Sequence, residues 1–127
     1  MQISKELISE SVPFENLINR EWNYKIIDNI LIITYNINKY FDGNTKQINI
    51  YEFVFKLKEW AINEGYTIIS GYDNDYMGEK YNKRVFGYCC QIQDKEFNIK
   101  DFYEDNEINA IIKACQYIFN KRLICKI

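Results

Sequence analysis

The stretch NIYEFVFKLKEWAINEGY, residues 49–66, decides how the rest of the chain is read. Ile50, Phe53, Val54, Leu57, Trp60 and Ala61 recur at helical spacing and form one apolar stripe. Lys56, Lys58, Glu59 and Asn63 fall on the other side. Asn49 stands just before the stripe as a helix cap, with Glu52 three residues on, the spacing of a capping box. Gly65 sits where a left-handed residue closes a helix. A helix with one apolar stripe needs an apolar face to cover, so the flanking segments must supply a sheet.

Upstream, residues 22–37 read as a hairpin. Trp22, Tyr24 and Ile26 alternate with polar neighbours, and Asp28-Asn29 supplies turn chemistry. Residues 30–37 are rich in β-branched side chains and start apolar on both faces, which predicts a central strand. Residues 38–47 are polar and contain Asp42-Gly43-Asn44, a turn. A short helix is expected within residues 3–11, with Ser4 as cap and Ile3, Leu7 and Ile8 on one side, ending near Pro13.

Downstream, strands are expected at 66–72, 84–92 and 96–103. They are separated by a polar loop over 73–83 and a turn at Gln93-Asp94-Lys95. A last helix begins near Asp105 or Asn106 and runs to about Lys121, burying Ile108, Ile111, Ile112, Cys115, Ile118 and Phe119. Lys121 and Arg122 stand at its C-terminal end, where the helix dipole favours cations. Residues 123–127 read as a tail or a short added strand. The order is hairpin, helix, three strands, helix. It predicts an α+β domain with a mostly antiparallel five-stranded sheet packed by two main amphipathic helices.

The 127 residues suit a single domain, and 47% hydrophobic content predicts a folded core. Sixteen basic against 18 acidic residues leave a net charge of −2, which is no footprint for duplex DNA. Histidine is absent, which removes the commonest general base and metal ligand together. Cys89, Cys90, Cys115 and Cys125 show no zinc-knuckle spacing, and adjacent strand residues point to opposite faces. Four reduced, mostly buried thiols are expected, in a cytoplasmic protein without a secretory signal or membrane span.

The richest chemistry lies around the 73–84 loop. Asp73, Asp75 and Gly78 resemble the start of a calcium loop. Met77 occupies a ligand position, however, and Arg84 stands where the bidentate Glu belongs, so no metal is expected. Tyr72, Tyr76, Tyr81 and Phe86 alternate with Lys80, Lys83 and Arg84, and Asn82 can read a base edge. Rings that stack and cations that hold phosphate suit a nucleotide. The acidic run Asp101, Glu104, Asp105 and Glu107 reads as the negative first turn of a helix. No cofactor and no catalytic set emerges, and the chain reads as a binding protein rather than an enzyme.

Two phrases carry a family likeness. One is Lys58, Glu59, Trp60 and Ala61 closed by Gly65 and Tyr66. The other is Glu107, Ala110, Ile111, Lys113, Ala114 and Cys115. Over roughly residues 49–120 the chain resembles the phage ABA-sandwich family of small phage and prophage proteins. The resemblance implies a phage or prophage origin and a compact sandwich of helices on a sheet, and it transfers no catalytic residue. With it, the expected function is phage counter-defence by binding, favoured as sequestration of a small nucleotide signal by a possible homo-oligomer. The alternatives are a protein–protein inhibitor of a host defence nuclease and an accessory phage protein without a ligand.

Overall fold

Lys5–Ser11 forms a first helix, α1, in a computed structural model that describes residues 3–12, 21–35, 44–73 and 87–125. Ser4 occupies the cap position without a side-chain cap; its amide donates instead to Gln116 Oε1 at 2.8 Å. Asp28 and Asn29 take positive φ of 52° and 63°, the pair of left-handed residues a type I′ turn requires. They close Trp22–Ile27 (β1) onto Ile30–Tyr35 (β2) in antiparallel register, Ile27 opposite Ile30.

The expected five-stranded sheet is overturned: the described residues build two three-stranded antiparallel sheets, β1-β2-β3 and β4-β5-β6. The extra strand is Asn44–Asn49 (β3), which sequence reading assigned mostly to a polar turn. Thr45, Lys46 and Gln47 are exposed on this edge strand and only Ile48 is buried, so no apolar alternation marks it. Its pairing, from Ile30 opposite Asn49 to Tyr35 opposite Asn44, makes β2 central, as its two apolar faces require.

β3 passes directly into Ile50–Asn63 (α2). Asn49 ends the strand and caps the helix, its side chain accepting from the Tyr51 amide at 2.8 Å. The Ile50 amide donates to Asn29 O, which ties the hairpin turn to the helix. At the other end Gly65 takes φ +96°; its amide donates to Ile62 O and that of Tyr66 to Ala61 O. These two bonds are the Schellman closure.

Thr67–Asp73 (β4), Gly87–Gln93 (β5) and Ile99–Glu104 (β6) follow as a meander, then Glu107–Cys125 (α3). The start of β6 and the end of α3 differ most from expectation. β6 starts at Ile99 because Asp94 organises a longer turn, accepting from the Glu96 and Asn98 amides at 2.9 and 3.0 Å. Leu123, Ile124 and Cys125 continue α3 rather than forming a tail or strand.

One hydrophobic cluster joins the described elements. Leu31, Ile33 and Ile48 from the first sheet join Cys90, Ile92 and Phe102 from the second, together with residues of all three helices. α2 touches β2, β3 and β4; α3 packs on β4, β5 and β6. α2 and α3 run in the same direction. Val54 and Ile111 line one cleft at one end, and the Trp60 and Phe119 rings lie tilted together at the other, centroids 6.4 Å apart.

Candidate functional site

Of the residues predicted to bind a nucleotide, the structure describes Tyr72. Tyr76, Lys80, Tyr81, Asn82, Lys83, Arg84 and Phe86 lie outside the described residues, as do Asp75, Met77 and Gly78 of the calcium-like run. Tyr72 is opposite Tyr88 in the β4–β5 ladder, and the two rings meet edge to face at 5.3 Å. With 61% of its surface exposed, Tyr72 stands at the point where the chain enters the 74–86 segment.

The other chemical groups are dispersed. Asp101 accepts from Gln91 Nε2 at 3.0 Å, Glu104 pairs with Lys113 at 3.2 Å, and Glu107 accepts from Ser70 Oγ at 2.6 Å. Three of the four acidic residues of the run thus turn to separate partners, and no metal-binding group forms among the described residues. Cys90 and Cys115 are buried and Cys89 half-buried, all three as free thiols. Burial pushes the Cys90 thiol up to about 12 and that of Cys115 still higher, so both stay protonated near neutrality.

A different surface stands out. Tyr51, Phe55 and Ile62 form a second apolar stripe on α2, with 61%, 62% and 57% of their surfaces exposed. The signal was present in the sequence as three apolar residues within the polar side of the helix, but spacing alone does not tell a covered stripe from a bare one. Beside Tyr51 and Phe55 a cleft of about 190 Å³ opens between the first turns of α2 and α3. Val54, Ile108 and Ile111 contribute apolar lining, while Lys58 and Glu107 place opposite charges on it. The Ser70 hydroxyl holds the Glu107 carboxylate, and the Asn106 side chain caps α3 through the Asn109 amide at 2.8 Å. The α3 wall of the cleft is thus fixed from two sides.

No protein family, curated protein or solved structure matches this chain. No described helix is long and apolar enough to cross a membrane.

Proposed function

We propose that this chain is a binding protein that captures a partner protein at the α2–α3 cleft. The exposed pair Tyr51 and Phe55 at the mouth of that cleft carries the reading. Pockets for small ligands span roughly 300–1,000 Å³, so a cleft of about 190 Å³ suits a single anchoring side chain instead. Aromatic residues around such an anchor are the usual energetic centre of a protein interface. Lys58 on one wall and Glu107 on the other favour a partner segment with an apolar anchor flanked by an acidic and a basic residue. The resemblance to small phage proteins supplies the setting, counter-defence by inhibition of a host protein.

A photoreactive benzoylphenylalanine in place of Phe55 tests this in extract of the host cell. The expected result is a discrete adduct at position 55 and none at position 25, where Lys25 lies exposed on β1. Tyr51→Ala should weaken the interaction by about 2 kcal/mol, roughly thirtyfold, with the fold intact. Equal labelling at both positions, or none at 55, overturns the reading.

Sequestration of a nucleotide signal is the second reading, and the exposed Tyr72 ring favours it. Melting temperatures against linear and cyclic nucleotides test it, since a ligand of the native state raises apparent stability. A selective shift abolished by Tyr72→Ala would put the nucleotide reading first.

A further inference from the structure

β6 is the last strand of its sheet, and no described strand pairs with its outer side. An open edge presents unpaired backbone amides and carbonyls, a template for another strand. Side chains alternate along it: Phe102 is buried among the helices, so Lys100 and Glu104 share its face. Between β6 and α3 lies an open groove of about 510 Å³, lined by Phe102, Glu104, Asn109, Lys113 and Tyr117 among others. The Lys100 ammonium sits over the Tyr117 ring at 4.8 Å and the Phe102 ring at 5.8 Å, which places it on the same side.

The charges on this face are symmetric about Phe102. Lys100 stands two residues before it and Glu104 two residues after. An antiparallel copy of β6, related by a two-fold axis through Phe102, therefore sets Lys100 opposite Glu104 of the second copy, and Glu104 opposite its Lys100. Residues directly opposite in such a pair have Cβ atoms about 4.5–5.5 Å apart, close enough for both ion pairs. A register centred on Asp101 instead opposes Asp101 to itself. One centred between Asp101 and Phe102 sets Ile99 against Glu104 and satisfies neither charge. Of the other outer strands, β1 carries only Lys25, β3 only Lys46 and β4 only Asp73, so none can complement itself.

We propose that β6 is a self-association edge: two copies of this chain pair through Phe102-centred β6 strands into a continuous six-stranded sheet. The interface is isologous, as closed dimers require. The axis stands perpendicular to the sheet, so both α3 helices lie on one face and the two α3–β6 grooves join into one. Glu104 then lies between Lys113 of its own chain and Lys100 of the other.

Charge reversal tests the pairing directly, with mass measured by light scattering over a dilution series. The wild type is expected at twice 15.4 kDa, falling toward 15.4 kDa on dilution. Lys100→Glu and Glu104→Lys should each shift to the monomer mass, because each opposes like charges twice. Mixing the two single variants should restore the dimer mass, and so should the double variant. Concentration-dependent slowing of amide exchange in β6 is the second measurement, and it needs no variant. A wild type that stays at 15.4 kDa, single variants that remain dimeric, or a mixture that stays monomeric overturns the proposal. Tyr51→Ala leaves the dimer mass unchanged, which separates this edge from the α2–α3 cleft.

Discussion

Arg122 shows how much one side chain can join. It stands in the last turns of α3, and its guanidinium donates through both terminal nitrogens to Glu10 of α1. One of those nitrogens also reaches Glu64, the residue that ends α2. The planar group lies 5.1 Å from the Phe119 centroid and 5.8 Å from that of Trp60. Hydrogen bonding to Glu10, then to Glu64, raises its already high pKa, so the fork stays charged. Arg122 Nε and Trp60 Nε1 are buried without a hydrogen-bond partner among the described residues, which sets some desolvation cost against these gains. Arg122→Ala leaves two carboxylates facing each other and is expected to cost about 2–3 kcal/mol in a denaturant titration. Arg122→Lys keeps the charge but not the fork and should cost less. In both variants the amides at the C-terminal end of α1 should exchange faster, since Glu10 ties that end to α3 while the Ser4–Gln116 bonds hold the other.

Among the elements, the β5–β6 turn carries the clearest pH signature. Asp94 accepts from the Asn98 side-chain amide at 3.0 Å and from the Glu96 and Asn98 backbone amides. These bonds, the Asn98 side chain first, hold its carboxyl below the usual carboxylate range, helped by Lys121 at 4.0 Å. The folded pKa is lowered, so the folded chain binds fewer protons than the unfolded one just below an ordinary Asp pKa of about 3.9. The resulting stability is complete above that value and is lost as pH falls through the folded pKa. Asp94→Asn keeps an oxygen for the backbone amides and removes the titration. Melting curves of the variant should therefore change less than those of the wild type as pH falls through this range.

At the scale of the whole molecule, two sheets depend on one core. Leu57 has no exposed surface, and α2, which carries it, touches strands of both sheets. The Cys115 thiol also donates to its carbonyl at 3.6 Å, so the α2–α3 seam passes through this residue. Leu57→Ala should cost about 3 kcal/mol, the transfer of the lost methyl groups plus the cavity left behind. Because the core is shared, amide exchange should rise equally in β2 and in β5. Retained protection in β2 alone would mean that the first sheet folds on its own.

What the sequence determined by itself is local and short-ranged. The Asp28-Asn29 turn, the Asn49 cap, the Gly65 closure and the buried stripes of α2 and α3 each follow from a few neighbouring residues. Their physics is complete within one turn or one helix. The opposed directions of Cys89 and Cys90 likewise need only the strand period. The α+β class was legible for the same reason. The tertiary structure alone decided how many sheets the strands make, because a polar edge strand such as β3 gains its place by pairing rather than by burial. It also decided which apolar side chains stay bare. Tyr51 and Phe55 look like any other helix residues until α3 arrives beside them without covering them. Arg122 was read as a cation at a helix end; its partners Glu10 and Glu64 lie 112 and 58 positions away, beyond any local pattern. The cleft and the clamp are products of distant segments meeting, and that encounter is what the core arranges.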